Sequence, residues 1–211
     1  MMRPVIIVGT GGHAREVAEI VQAQHAAGQG GPLHGMLTDD QTQHGTTSLG
    51  IQILGPIAWL TSRLSQFSVI IAIGDNATRQ RIAHQFGSEL HAASAISPYA
   101  IISPHATIGA GAMLFPNAVV GPLASIGPHS IMNVGASVSH DSTVGAFSNL
   151  NPGSHVAGNC QLGEGVALGM GANVIQGRSI GAWTVVGAGA VVIRDLPSQV
   201  KAVGVPTRLL I

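Results

Sequence analysis

From Ile96 to Val192, every sixth residue of the chain is a large aliphatic side chain. The series runs Ile96, Ile102, Ile108, Leu114, Val120, Ile126, Met132, Val138, Val144, Leu150, Val156, Leu162, Leu168, Val174, Ile180, Val186 and Val192, with no insertion or deletion. A helix repeats every 3.6 residues and a strand every two, so neither alone predicts a column of period six. Six-residue units repeated in register are the signature of a hexapeptide β-helix, in which each unit lays down one short flat face. Three units make one coil of a triangular prism. At the usual strand spacing of roughly 4.8 Å, the series stacks into between five and six coils.

A second column supports the first. Four places after the aliphatic stands a small residue: Ala100, Ala106, Ala112, Ala118, Ala124, Ser130, Ala136, Ser142, Ser148, Ser154 and Cys160, then Ala172 and Ala190. Residues an even number apart point to the same side of a strand, so both columns face one narrow interior. Glycine follows the aliphatic directly at Gly109, Gly121, Gly127, Gly145, Gly163, Gly169, Gly181 and Gly187. The expectation is that these glycines supply corner conformations costly for other residues.

Charge is unevenly spread. Between Ile96 and Ile193 only Asp141, Glu164 and Arg178 are charged, and the other charges sit near the two ends. Neutral faces of this extent tend to associate, so an oligomer is expected. The formal net charge is zero over 211 residues, which gives no electrostatic case for a nucleic-acid or membrane partner. Aromatic content of 3% also removes the stacking platforms that single strands use. The single cysteine, Cys160, excludes an intramolecular disulfide framework, and its place in the small column makes it a packing residue. The run Val5 to Val8 is too short for a signal-peptide core, and no run reaches membrane-spanning length, which points to a cytoplasmic protein.

The first ninety-five residues read differently. Pro4 to Val8 is a buried strand, Gly9-Thr10-Gly11-Gly12-His13-Ala14 a glycine turn, and Glu16, Val17, Ile20 and Val21 follow at helical spacing. Leu33 to Leu37 is a second strand ending in Thr38-Asp39-Asp40, and Pro56 to Leu64 a short helix. Ser68 to Ile73 is a third strand ending in Gly74-Asp75-Asn76, with a helix from about Ala77 to Phe86. Alternating strand and helix implies a small parallel α/β sheet, a Rossmann-like half. Gly9, Gly11 and Ala14 satisfy the G-x-G-x-x-G/A pattern of a dinucleotide fingerprint, in which a helix N-terminus and bare backbone approach a phosphate; the other reading is a tight strand-to-helix turn with no ligand. Too few residues precede the repeat for two mononucleotide halves, so a nucleotide or nucleotide-sugar fits better than a dinucleotide. Strand ends on one edge would gather Gly11, Gly12, His13, Asp39, Asp40, Gly74 and Asn76.

Ten histidines are present. His105 and His129 stand three places after the aliphatic and His155 five places after it. His140 alone stands at the second place, next to Asp141, one of the three charges of the repeat region. A zinc site of the γ-class carbonic anhydrase kind needs two histidines five residues apart, and no pair here has that spacing, so no metal is expected.

The glycine turn Val8 to Ala14, the strand end Ala72-Ile73-Gly74-Asp75-Asn76, the uninterrupted hexads and Gly204-Val205-Pro206 together resemble one family across essentially the whole chain. It is the bacterial sugar O-/N-acyltransferase family, which includes the sialic acid O-acetyltransferases and the acetyltransferases of nucleotide-linked 4-amino sugars. The resemblance implies a left-handed parallel β-helix over residues 96–193, preceded by a nucleotide-sugar-binding α/β domain over 1–95 and followed by a tail or cap over 194–211. It implies a homotrimer with acetyl-CoA lying between neighbouring β-helices. The family's base falls on His140, paired with Asp141, and its nearby asparagine on Asn133. The thioester carbonyl is expected on the backbone N–H of Gly158, within Ala157-Gly158-Asn159. Asn149, Ala188 and Arg208 are further implied donor contacts, with Lys201 an alternative partner for the phosphates. Asn149 stands where the amino-sugar branch often has a second histidine; asparagine hydrogen-bonds but does not titrate.

The mechanism that follows has His140 take a proton from the acceptor as it attacks the thioester, since histidine's ordinary pKa of about 6.5 suits that task. Adjacent residues on a straight strand point oppositely, so Asp141 assists His140 only if the hexad bends there or the pair meets across subunits. Two other readings remain open on sequence: O-acetylation of sialic acid, for which Arg15 and Arg79 are the available cations, and a non-catalytic β-helix scaffold.

Overall fold

In the computed structural model, which describes residues 2–210, each aliphatic of the six-residue column closes a two-residue strand. The chain divides into two units, one running to Pro98 and the other beginning at Tyr99.

The first unit is built on β1 (Val5–Val8), whose four residues are all buried. The helix α1 (Gly12–Ala26) covers the sheet with Ala14, Val17, Ala18, Ile20 and Val21. There follow β2 (Leu33–Leu37), β3 (Thr47–Ser48), β4 (Ile51–Gly55), β5 (Ser68–Ile71) and α2 (Asn76–Phe86). The sheet order is β3-β4-β2-β1-β5. All pairings are parallel except β3 with β4. Parallel order sends the ends of β1, β2, β4 and β5 to one edge.

Two sequence expectations need correction here. The segment expected as a helix from Pro56 is only a 3-10 turn at Ile57–Leu60. The β3–β4 hairpin was not anticipated. Its turn is Leu49-Gly50, with both residues at positive φ (52° and 74°), as a two-residue type I′ turn requires. Leucine there hides the usual Asn-Gly signal. In β4, Ile51 and Ile53 are buried and Gln52 is exposed, the alternation of a strand with one wet face.

The second unit is a three-faced left-handed β-helix. Its first face stacks Met113–Leu114, Ile131–Met132, Asn149–Leu150, Ala167–Leu168 and Val185–Val186. The second runs from Ile101–Ile102 through Ser137–Val138 and His155–Val156 to Val191–Val192. The third carries Thr107–Ile108, Ser125–Ile126, Thr143–Val144, Gln161–Leu162 and Ser179–Ile180. Neighbours are in parallel register one coil apart, as in Ser137↔His155 and Val138↔Val156. From Leu114 to Val192 every aliphatic of the column is buried, as are Ala112, Ser130, Ser142 and Cys160 of the small column. Each buried aliphatic contributes roughly 1.5–3 kcal/mol through removal from water.

The role expected of the glycines after the aliphatics is corrected as well. Positive φ falls two places later, at Asn117, Leu123, His129, Asp141, Phe147, Asn159 and Trp183 among others. Gly127 is needed for another reason: a Cβ there would lie 2.5 Å from the Ala146 nitrogen of the next coil. Close stacking of corners, not backbone conformation, excludes a side chain. Beyond the last hexad, Leu196 bridges Ile180 and Ala202 pairs with Val186, both in parallel, so the terminal segment continues the stack. The final strand, Arg208–Leu209, returns antiparallel.

Candidate active site

His140 and Asp141 occupy the corner between the second and third faces, just after the strand Ser137–Val138. Asp141 has φ 57°, a left-handed conformation that aspartate tolerates better than most residues. That turn breaks the alternation of a straight strand and brings the two side chains together. His140 Nδ1–H donates to Asp141 Oδ2 at 2.8 Å, because an ionised carboxylate only accepts. The bond fixes the tautomer and leaves Nε2 as an acceptor. Both side chains remain about half exposed, at 49% and 45%, so Nε2 is open to a substrate.

One coil further on lies Gly158, buried beneath the imidazole. A Cβ on Gly158 would come within 2.5 Å of His140 Cε1 and Nε2; the absence of a side chain is what lets the ring lie there. The Asn159 N–H donates to the His140 carbonyl at 3.0 Å and ties the two coils. The backbone N–H two places after each aliphatic takes no part in the ladder. Prolines fill that place at Pro116, Pro122, Pro128 and Pro152 without loss. The Gly158 N–H is of this kind and makes no hydrogen bond among the described residues of the chain.

The other expected donor contacts lie elsewhere on the prism. Asn133 and Ala188 stand at the corner between the first and second faces, and Asn149 within the first face. Asn133 Oδ1 accepts from the Val134 N–H at 2.7 Å. Arg208 lines a cavity of about 260 Å³ with Ile193, Arg194, Pro206 and Thr207. Arg194 is a cation that sequence reasoning missed, since nothing in the pattern links it to Arg208; Lys201 does not line this cavity. One chain therefore brings His140, Asp141 and Gly158 together, and holds Asn133, Asn149, Ala188 and Arg208 apart from them, on the first face and at its corner with the second.

In the first unit the expected residues do share the edge where the parallel strands end. Gly9 must be glycine, with φ 122° and a hypothetical Cβ 2.7 Å from the Ala72 carbonyl oxygen. Gly11 and Gly12 differ: a side chain at Gly11 would meet nothing within 4 Å, so this backbone is open. Gly11 caps α1 without any side-chain hydrogen bond, leaving the helix N-terminus accessible to an anion. His13 is pushed down to about 4 by burial and, secondarily, by the nearby Arg79 guanidinium. It is neutral at pH 7.

Arg79 is fully buried. It donates to the Ile73 carbonyl (2.7 Å), the Gly74 carbonyl (3.2 Å) and Asn76 Oδ1 (2.8 Å), holding the end of β5 in shape. The expectation that Arg79 offers a cation to a substrate carboxylate is overturned by this enclosure. Asp40 accepts from Thr42 N (3.0 Å), Thr42 Oγ1 (2.6 Å) and Gln43 Nε2 (2.7 Å). Those bonds, led by the Thr42 hydroxyl, hold its carboxyl below the usual range. Asp39 Oδ1 accepts from the Ile57 N–H at 3.0 Å. Gly55 and Pro56, at the end of the unanticipated β4, join the same edge.

Several remaining histidines have local bonds. His25 Nδ1 lies 2.8 Å from the Gly30 carbonyl, His44 Nε2 2.8 Å from the Thr38 carbonyl and His155 Nδ1 2.8 Å from Ser137 Oγ. Among the described residues no group of three or more His, Cys, Asp or Glu side chains is placed to hold a metal ion, and no helix is long and apolar enough to cross a membrane.

Residues 4–86 match the family model of the PglD N-terminal domain. Among solved structures, the chain is similar to the acetyltransferase domain of PglB from Neisseria gonorrhoeae FA1090, in complex with acetyl coenzyme A. The identity is 32% and the TM-score 0.91, with all of both chains covered. It is similar to a histidine-to-asparagine mutant of perosamine N-acetyltransferase from Caulobacter crescentus, in complex with CoA and GDP-perosamine. There the identity is 36% and the TM-score 0.89, covering 100% of this chain and 98% of that one. WeeI from Acinetobacter baumannii AYE shares 25% identity at a TM-score of 0.87, covering 98% and 99%. No curated protein sequence gives a significant match.

Proposed function

The chain belongs to the bacterial nucleotide-sugar acyltransferases that join a PglD-type N-terminal domain to a hexapeptide β-helix, and on that premise we propose that it acetylates the 4-amino group of a nucleotide-linked amino sugar with His140 as general base. It is a sugar acetyltransferase with acetyl-CoA as donor. The single observation carrying the finer reading is the corner itself: a half-exposed histidine, oriented by a carboxylate, over a glycine with an unengaged N–H.

In this reading the amine lone pair attacks the thioester carbonyl carbon while His140 Nε2 accepts a proton from the amine. Asp141 stabilises the imidazolium that forms. The carbonyl oxygen gains negative charge and is held by the Gly158 N–H, a donor typically worth about 3 kcal/mol in the transition state. The C–S bond then breaks, and the CoA thiolate takes the proton from His140. Nitrogen has gained an acetyl group, and every proton is accounted for.

The nucleotide-sugar belongs at the strand-end edge of the first unit, with the diphosphate on the bare Gly11-Gly12 backbone and the start of α1. Neutral His13 serves as a hydrogen-bonding partner there, and Asp39, Asp40, Gly74 and Asn76 line the same edge. Acetyl-CoA belongs along the opposite edge of the second face, past Asn133, Asn149 and Ala188, with its phosphates near Arg194 and Arg208. Since that edge and His140 lie apart on one chain, the reading needs donor residues from one copy beside the base of another, as in a homotrimer. The exposure of Tyr99, Ile101 and Leu123, each above 60%, supports association of these faces. Enclosure of Arg79 leaves the exposed Arg15 as the remaining one of the two cations considered for a sialic acid carboxylate.

The test is acetyl-CoA-dependent thiol release with UDP-, GDP- and CMP-linked 4-amino sugars, beside the corresponding 4-hydroxy sugars. Turnover with one amino sugar and none with its hydroxy analogue is expected; the reverse preference sinks the amine reading. A monomer by sedimentation, with activity retained, would sink the shared site.

A further inference from the structure

Inside the prism, beneath the His140 corner, lies a buried hydroxyl that the mechanism above does not use. Ser142 is fully buried. Its Oγ–H donates to the Ala157 carbonyl at 2.8 Å, with a longer approach to the His140 carbonyl at 3.3 Å, and its oxygen accepts from the Cys160 N–H at 3.0 Å. One side chain thus touches the backbone on both sides of Gly158 as well as the base's own carbonyl.

The Ala157 carbonyl and the Gly158 N–H belong to the same peptide unit. A trans peptide is planar, and its C=O and N–H point in opposite directions. Drawing the Ala157 oxygen inward therefore aims the Gly158 N–H outward, towards the corner on which the imidazole lies. A hydrogen bond accepted by the carbonyl also polarises the peptide and strengthens its N–H as a donor. We infer that Ser142 is a positioning residue of the transferase reaction, orienting and polarising the Gly158 N–H against the thioester oxygen. The inference rests on the proposed roles of His140 and Gly158.

The backbone does not need this hydroxyl in order to turn. The same column holds alanine at Ala112, Ala118, Ala124, Ala136, Ala172 and Ala190, each buried at an ordinary corner. Two serines at the corner between the third and first faces make a like bond, Ser130 Oγ to the Gly145 carbonyl at 2.9 Å and Ser148 Oγ to the Gly163 carbonyl at 3.1 Å, whereas the buried Ser154 hydroxyl has no partner among the described residues. Ser130 is thus a control for the carbonyl bond, with no base above it.

The experiment compares Ser142→Ala with Ser130→Ala in the full chain, measuring kcat, both KM values and the thermal midpoint. Both should lose stability, Ser142→Ala the more, because it also removes the partner of the Cys160 N–H. Ser142→Ala alone should lose about tenfold or more in kcat, the scale of a weakened oxyanion donor, with KM values within about twofold. Ser142→Thr should recover most of the loss, as Thr184 occupies the same column with its hydroxyl bonded to the Pro197 carbonyl at 2.6 Å. Equal kcat for the two alanine variants, or loss confined to KM, overturns the inference. If Ser142→Ala does not fold, Ser142→Cys takes its place with the same criteria, since Cys160 sits one coil above and points its thiol at the Ile175 carbonyl (3.2 Å). His140→Gln separates the two levels. Full activity in that variant sinks the base assignment itself, whereas an inactive His140→Gln beside an unaffected Ser142→Ala sinks only the positioning role.

Discussion

His129 and His140 stand on neighbouring corners of one prism, less than a coil apart, and the prism treats them differently. His129 is itself the positive-φ residue of its corner (φ 54°). Its ring lies back over Gly111 of the preceding coil and stacks on Phe147, with centroids 5.2 Å apart and planes 3° from parallel. The residue is only 8% exposed. His140 stands one place earlier in its hexad, so the turn falls on Asp141. Its ring goes forward over Gly158 and keeps half its surface, with a carboxylate on Nδ1. A shift of one place within a six-residue unit separates a buried, stacked histidine from a half-exposed one held by a carboxylate. Both rings rest on a glycine, so the difference between them lies in open surface and the carboxylate partner.

The most severe way to break the comparison is to delete each ring. His140→Ala should cost about 10³-fold in kcat, within the range for a general base, with the fold intact by thermal unfolding. His129→Ala should instead cost stability, about 1–3 kcal/mol, and leave kcat within about threefold. Equal losses of turnover would erase the distinction. Adding a methyl under each ring is the next test. Gly158→Ala drives a Cβ into the His140 imidazole and should cost about 10²-fold in kcat, the loss seen when an oxyanion donor is displaced. Gly111→Ala, at φ 76° beneath His129, should act on stability alone, by about 1–3 kcal/mol. Asp141→Asn retains a residue suited to positive φ while removing the charge. It should lower kcat roughly 30-fold and shift its pH profile, whereas a shift in KM alone would deny Asp141 its part.

The smallest effect concerns a third histidine, held in another way. His13 keeps a pKa of about 4 in the folded chain against an ordinary 6.5. Between those values the unfolded chain takes up a proton that the folded chain refuses. Its contribution to stability is complete above pH 6.5 and is lost as pH falls towards 4, with a slope of up to about 1.4 kcal/mol per pH unit. Urea unfolding across that window should show the slope, and His13→Gln should flatten it; an unchanged slope would assign the acid limb to other groups.

Much of this site was legible before any coordinates. An isolated charge pair in a nearly uncharged repeat singles out His140 and Asp141, and the glycine turn points to the strand-end edge of the first unit. Arg194 was not legible, because its link to Arg208 exists only once the terminal strand folds back. Arg79 reads as a cation available to a substrate until the fold encloses it and turns it onto the Ile73 and Gly74 carbonyls just beyond β5.

By itself, the sequence determined the coil: a column of aliphatics, a column of small residues and a period of six admit no other stacking, because each contact repeats one coil away. It also determined that a strand, a bare turn and a helix open the chain, since those signals are local. Tertiary structure alone decided that Asp141 reaches His140, that Gly158 lies beneath the ring, and that Ser142 draws on the peptide between them. Those contacts depend on positive φ at one corner and on superposing residues a full coil apart, and neither is encoded in the identity of any single residue.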